Sequence, residues 1–155
     1  MIGNDLVDLN AASRESNWKR KGFQNKLFNE KEQAIIISHI NPEEMVWLLW
    51  SMKEAAYKIY NKVTGIREYA PLKLSCTLTE SYNAEYYGKV QISGKVYFTK
   101  STLIQGDYIH TLAAEQESTL NSIRETIYPI SLMPDYKTMA AASVSHHGQY
   151  LALIT

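Results

Sequence analysis

The stretch WSMKEAAYK occupies residues 50–58 and directly follows the apolar run VWLL at residues 46–49. No other part of the chain puts acids and lysines in so apolar a setting. A helix here would hold Lys53, Glu54 and Lys58 against a mostly buried surface, which is unfavourable unless a metal ion, a phosphate or a partner compensates the charges. The stretch therefore predicts a functional site on a largely buried helix.

This helix has recognisable start and stop signals. Asn41 is suited to capping its N-terminus, Pro42 to the first helical position, and two acids follow in the first turn. Gly65 is the expected C-terminal stop, so the predicted helix covers residues 42–64. Its periodicity gives two faces, one an apolar stripe of Leu48, Met52, Ala55 and Ile59, the other carrying Trp50, Glu54, Tyr57 and Lys58.

The rest of the chain predicts an α+β fold in which this long helix packs on an antiparallel sheet. Residues 2–9 indicate a strand interrupted by acids, residues 13–26 a weakly patterned short helix, and residues 33–39 a helix preceded by the capping pair Asn29 and Glu32. After Gly65 the apolar period changes to two. The predicted strands are residues 72–78, 86–92, 95–100, 108–114, 141–146 and 149–154, with a short helix at residues 118–126.

Length and composition limit the classes of protein that fit. With 155 residues and no linker or repeat, the chain predicts a single domain over residues 1–155. Sixteen basic residues equal sixteen acidic ones, so the overall charge gives no support for a nucleic-acid partner or an anionic membrane. The single Cys76 excludes an internal disulfide and fits a reducing compartment. No stretch has the ~20 apolar residues of a membrane span, and we expect a cytoplasmic protein.

Two separated motifs together resemble the 4'-phosphopantetheinyl transferase superfamily. Its signature is a Gly-x-Asp strand followed, after a gap, by an aromatic-x-x-Lys-Glu-Ala-x-x-Lys helix. Gly3 and Asp5 match the first motif, and residues 50–58 match the second. Ser145 and His146 are similar to the family's Ser-x-Ser-His strand. Each motif alone is a weak signal, but both in this order indicate a member of the superfamily with its fold, of the holo-acyl-carrier-protein synthase type.

The resemblance implies a chemistry and a set of site residues. Members transfer 4'-phosphopantetheine from coenzyme A to a serine of an apo carrier protein, a small acidic helical domain, and release 3',5'-ADP. Asp5 and Glu54 would bind Mg²⁺, an ion that prefers carboxylates, water and phosphate oxygens. Glu54 and Lys58 would be catalytic. The phosphates of coenzyme A would be contacted by Lys53, Ser145 and His146.

One further metal ligand and one partner surface each have an alternative. Asp8 matches an acid that some members place near the metal, but it could equally be a solvated or capping acid. The basic residues near the N-terminus could receive the acidic carrier protein or form an ordinary solvated face; they are Arg14, Lys19, Arg20, Lys21 and Lys26. By analogy with the single-domain members, we also expect a homo-oligomer.

Two rival functions remain open from the sequence. One is an enzyme of the same fold that hydrolyses or transfers another pyrophosphate-linked nucleotide. The other is a non-catalytic module that binds coenzyme A or a carrier protein. Asp5, Glu54 and Lys58 argue against such a module, because a binder without turnover has little need of a costly buried cluster of charges.

Overall fold

The computed structural model describes residues 1–155, which form an α+β fold in which a long helix packs on an antiparallel sheet. The fold class predicted from the sequence is therefore confirmed. The helices and strands, in chain order, are β1 (Ile2–Asp8), α1 (Leu9–Glu15), α2 (Phe23–Leu27), α3 (Glu30–Ser38), α4 (Pro42–Thr64), β2 (Leu74–Tyr82), β3 (Glu85–Ile92), β4 (Lys95–Ile104), β5 (Tyr108–Ala114), β6 (Glu125–Pro129), β7 (Ser143–His147) and β8 (Tyr150–Ile154).

Helix α4 has the bounds that its local signals predict. The Asn41 side chain accepts a hydrogen bond from the Glu44 N–H at 3.4 Å, and Pro42 occupies the first turn. Gly65 ends the helix with a φ of 73°, a left-handed conformation that glycine adopts without strain. The predicted apolar stripe is fully buried: Leu48, Met52, Ala55 and Ile59 are each no more than 2% exposed.

The main sheet has five antiparallel strands in the order β1-β5-β4-β3-β2, which places β1 at one edge. Strand β1 crosses α4 very closely at Gly3. A Cβ atom at that position would lie 2.5 Å from the Ala55 carbonyl oxygen, so any larger residue would push strand and helix apart. This close crossing brings Asp5 of β1 next to the turn of α4 that carries Glu54 and Lys58.

A smaller sheet, in the order β6-β8-β7, covers the remaining edge of β1. Strand β7 does not pair with β1 through its backbone. Instead, side chains on alternate residues of β7 accept hydrogen bonds from alternate N–H groups of β1. The acceptors are Ser143 Oγ for Asn4 at 3.3 Å, Ser145 Oγ for Leu6 at 3.0 Å, and His147 Nδ1 for Asp8 at 2.9 Å. The edge of the main sheet is thus closed by side chains.

The structure differs from the sequence prediction in two segments. Residues 13–26 do not form one helix; α1 ends at Glu15 and α2 begins at Phe23, after Gly22 with a φ of 84°. The helix predicted at residues 118–126 is wrong in part, because a 3₁₀ turn over Glu117–Ser122 is followed by strand β6. Five residues are too few to show a clear alternation of apolar and polar residues, and β6 forms because it pairs with β8. None of the helices has the length and apolar character needed to cross a membrane.

Candidate active site

A cleft of about 290 Å³ opens where β1, α1, α4 and β7 meet. It has an acidic floor and an aromatic wall. The residues that matter for its chemistry are Asp5, Trp47, Trp50, Glu54, His146 and His147. The structure thereby brings residues of all three sequence motifs to one place: Asp5 of the strand motif, Glu54 of the helix motif, and the histidines that follow Ser145.

Asp5 is buried at the bottom of this cleft. One oxygen, Oδ1, accepts a hydrogen bond from Ser145 Oγ at 3.4 Å and lies 3.8 Å from the Lys58 ammonium. The other oxygen, Oδ2, is buried without a hydrogen-bond partner in the protein. Burial raises the pKa of Asp5, and the nearby Lys58 charge opposes that rise. A buried carboxylate oxygen that nothing satisfies is unfavourable, so Asp5 is suited to binding a cation or a donor group.

Glu54 faces the same space from α4 and is less deeply buried. Burial, followed by the negative charge of Asp5, raises its pKa to about 7, although the Lys58 charge and the Tyr69 hydroxyl act in the opposite direction. A carboxyl whose pKa is raised by burial and by a neighbouring acid in a cleft is typical of a functional site. A divalent cation would favour the ionised form of Glu54 and of Asp5.

Lys58 is held rigidly between β1 and β7. Its ammonium donates hydrogen bonds to the Asn4 carbonyl at 2.7 Å and to the Val144 carbonyl at 3.4 Å, and it faces Asp5 Oδ1 at 3.8 Å. These contacts fix a positive charge at the edge of the acidic floor. The position is suited to stabilising negative charge on a bound group beside the two carboxylates.

The hydroxyl of Ser145 is already used by the protein. It accepts the Leu6 N–H and donates to Asp5 Oδ1, so it orients the carboxylate within one chain. This arrangement does not favour the predicted contact between Ser145 and coenzyme A. His146 points to the opposite side of β7, because neighbouring residues in a strand alternate, and it is exposed at the mouth of the cleft. His146 is thus accessible to a ligand phosphate, as the resemblance implies.

Asp8 has a structural position in the turn between β1 and α1. Its Oδ1 accepts the N–H groups of Asn10 at 3.0 Å and Ala11 at 3.1 Å, which caps α1, and its Oδ2 accepts the Gln149 N–H at 2.8 Å. These backbone hydrogen bonds lower the pKa of Asp8 despite burial. Both oxygens are therefore occupied, and the structure favours the capping alternative over the expectation that Asp8 is a metal ligand.

Lys53 is not available to a phosphate, which contradicts the expectation that it contacts coenzyme A. Its side chain is fully buried on the side of α4 away from the cleft. The ammonium bonds to Glu32 at 2.8 Å, to the Leu27 carbonyl at 2.7 Å and to the Pro71 carbonyl at 2.8 Å. All three donors are thus satisfied. Lys53 and Glu54 point to different sides because adjacent helical positions are about 100° apart.

The residues present fit a magnesium ion. The structure contains no group of three His, Cys, Asp or Glu residues of the kind that surrounds a metal with protein ligands alone. Mg²⁺ does not need such a group, because it commonly takes one or two carboxylates and completes its shell with water and substrate phosphates. Asp5 Oδ2, which is buried and unpartnered, together with Glu54 meets that requirement.

Three contributors to the site were missed in the sequence. Ser143 and His147 hold β7 against β1, and their alternation with Ser145 was visible but has no meaning until β7 is known to lie beside β1. Tyr69 packs over the Glu54 turn from a loop. No local pattern indicates that contact, because residues 65–70 carry no secondary structure.

Two carboxylates, one from a strand and one from a helix, line this cleft, and a fixed lysine lies 3.8 Å from the strand carboxylate. Such an arrangement is suited to a charged, phosphate-containing substrate. A model of the 4'-phosphopantetheinyl transferase superfamily matches residues 1–113, and the chain belongs to this superfamily. Membership implies carrier-protein modification with coenzyme A as the donor. The match includes Asp5, Glu54 and Lys58, whereas β7 and its residues lie beyond it. A search of curated proteins found no match to the chain.

Proposed function

We propose that this protein is a Mg²⁺-dependent enzyme of the holo-acyl-carrier-protein synthase type, which transfers 4'-phosphopantetheine from coenzyme A to a serine of an apo carrier protein. The observation that carries the proposal is that Asp5 and Glu54 line one cleft and the Lys58 ammonium lies 3.8 Å from Asp5 Oδ1, in a chain that belongs to this superfamily. We also propose that it acts in the cytoplasm.

In the proposed reaction, the carrier serine oxygen forms a bond to the phosphorus that bears pantetheine. The bond from that phosphorus to the bridging oxygen breaks, 3',5'-ADP leaves with the bond's electron pair, and the serine proton passes to solvent. A Mg²⁺ ion held by Asp5 and Glu54 would neutralise charge on the pyrophosphate. Lys58 supplies a second positive charge, and its two backbone carbonyl partners keep it in place. Ser145 keeps Asp5 oriented.

The carrier protein would approach beside the cleft. Glu15 and Ser16 line the cleft at the end of α1, and the five basic residues of the predicted patch begin at Arg14 and continue to Lys26, all of them exposed. An acidic helical domain on this surface would present its serine to the cleft, with charge complementarity raising the association rate.

Mass spectrometry tests the function directly. An apo carrier protein incubated with coenzyme A, Mg²⁺ and this protein should gain the mass of one phosphopantetheine group. A carrier whose serine is replaced by alanine is the control. Tight binding of coenzyme A without modification of any of several apo carriers would favour the alternative, a non-catalytic binding module.

Removing Lys58 should separate transition-state stabilisation from binding. In Lys58→Ala we expect kcat to fall roughly a hundredfold, with a smaller change in KM for coenzyme A, because the lysine charge acts where charge develops in the reaction. Calorimetry should still detect coenzyme A binding in the presence of Mg²⁺. Lys31→Ala, at an exposed position on α3, is the control. A large rise in KM at unchanged kcat would contradict the catalytic role.

The homo-oligomer implied by the family stays a prediction, and light scattering at micromolar protein tests it. One chain already supplies both carboxylates and His146 to its cleft, and its own Lys58 lies beside Asp5. We therefore expect that mixing two impaired variants, Glu54→Gln and Lys58→Ala, gives no more activity than the variants have separately, even if the protein is an oligomer. Recovery of a substantial fraction of activity in the mixture would show that these residues act across a subunit boundary.

A further inference from the structure

Tyr69 lies across the part of α4 that carries Glu54. Its ring makes edge-to-face contacts with Trp50, at 5.6 Å between centroids, and with Tyr57, at 5.0 Å. Trp50 and Tyr57 are four residues before and three residues after Glu54, so the three side chains follow one another on a single helix face. A ring in contact with both neighbours lies against the turn of α4 that carries Glu54.

The Tyr69 hydroxyl is buried and has no hydrogen-bond partner in the protein. It does not reach hydrogen-bond geometry with Glu54, yet it is close enough to lower the pKa of that carboxyl. Burial, followed by the charges of Glu54 and Asp5, raises the pKa of Tyr69, so the phenol stays protonated. Its O–H group is therefore available to donate a hydrogen bond. An unsatisfied buried hydroxyl is unfavourable, and a small shift of either group would remove that cost.

We propose that Tyr69 is a positioning residue, which donates a hydrogen bond to the Glu54 carboxylate when this carboxylate holds a divalent cation. Glu54 extends from α4 on a side chain with several rotatable bonds, whereas Asp5 is shorter and is already held by Ser145. A donor on the far side of the Glu54 carboxylate would select the rotamer that faces Asp5. Partners of this kind commonly orient metal ligands, and their loss lowers metal affinity about 10- to 100-fold.

The inference rests on the proposed metal role of Glu54 but not on carrier modification. Mn²⁺ is a suitable probe, because it accepts the same oxygen ligands as Mg²⁺ and its binding is measured by electron paramagnetic resonance without any reaction. In Tyr69→Phe the ring contacts with Trp50 and Tyr57 stay and the hydroxyl is lost. We expect Mn²⁺ to bind roughly tenfold more weakly to this variant, with a urea midpoint no lower than that of the wild type.

Tyr57→Phe is the matched control, since it removes a hydroxyl from another ring of the same aromatic group and should leave the Mn²⁺ affinity unchanged. Tyr69→His, which keeps a ring N–H donor, should recover part of the affinity and provides a second test if Tyr69→Phe folds poorly. In transfer assays, Tyr69→Phe should be slow at limiting Mg²⁺ and approach the wild-type kcat at saturating Mg²⁺.

Several outcomes would overturn the inference. Equal Mn²⁺ affinity in wild type and Tyr69→Phe would show that the hydroxyl does not act on the metal ligand. An equal loss of Mn²⁺ affinity in Tyr57→Phe would assign the effect to ring packing. If the wild type binds no Mn²⁺, Glu54 holds no cation and Tyr69 has no metal ligand to position. Failure of the proposed function is distinguishable from all of these, because it would appear as unmodified carrier protein beside a normal difference in Mn²⁺ affinity.

Discussion

Glutamine in place of Glu54 should abolish carrier modification and, at the same time, make the metal-free protein more stable at pH 8. For transfer we expect a loss of roughly a thousandfold or more in kcat, because a single remaining carboxylate cannot hold the ion and its pyrophosphate in place. Asp5→Ala should lose transfer to the same extent. A variant that loses activity and gains stability shows that Glu54 serves function at a cost to the stability of the fold.

The gain in stability follows from the raised pKa of Glu54. Its ordinary value of 4.5 rises to about 7 in the fold, so the folded protein binds this proton more tightly than the unfolded chain does. The contribution of Glu54 to the free energy of unfolding is therefore fully present below pH 4.5 and is lost as pH rises through about 7. At about 1.4 kcal/mol per pKa unit, the loss is at most about 3.5 kcal/mol. Glutamine has no proton to lose and avoids this penalty.

Urea unfolding with excess chelator at several pH values measures this effect. Glu54→Gln and wild type should be equally stable near pH 4.5 and should diverge up to pH 8. Glu80→Gln, at an exposed position on β2, is the control and should follow wild type within about 0.5 kcal/mol throughout. Added Mg²⁺ should stabilise wild type and not Glu54→Gln. A less stable Glu54→Gln at pH 8, or near-normal turnover by it, would contradict a shared metal site.

The second large effect concerns Lys53, the other charged residue of the same helix turn. Lys53→Met should lower the free energy of unfolding by about 3–5 kcal/mol, because it leaves the Glu32 carboxylate buried without its counter-charge. Glu32 also accepts the N–H groups of Asn29 and Cys76, so the pair joins the start of α3 to β2 as well as to α4. Losing it should therefore loosen three elements together.

Equilibrium unfolding in urea measures this loss, with Lys31→Met on the exposed face of α3 as the control. The double variant Lys53→Met/Glu32→Gln should lose less stability than the sum of the two single changes, because the charges depend on each other. If Lys53→Met has normal stability and a raised KM for coenzyme A, the result would contradict the structural role and support the phosphate contact expected from the sequence.

Local sequence signals predicted the parts of the fold whose cause is local. The caps at Asn41 and Asn29, the stop at Gly65 and the apolar stripe of α4 all depend on residues within a few positions, and the structure contains each of them. The hairpin around Gly94 is similar, since its φ of 80° suits glycine. Strand β6 was missed because its stability comes from pairing with β8, and residues 125–129 do not encode that pairing.

The sequence by itself determined the fold class, the α4 bounds and the superfamily, because capping signals, apolar periodicity and the two spaced motifs each depend on residues within a short stretch of chain. Only the tertiary structure decided which motif residues face the cleft. Lys53 turns to Glu32, Asp8 caps α1, and Ser145 holds Asp5 instead of staying free for a ligand. The partners of Lys53 and Ser145 come from distant segments, and the second oxygen of Asp8 accepts the distant Gln149 N–H. Burial forces a polar group to use whichever partner the packing provides.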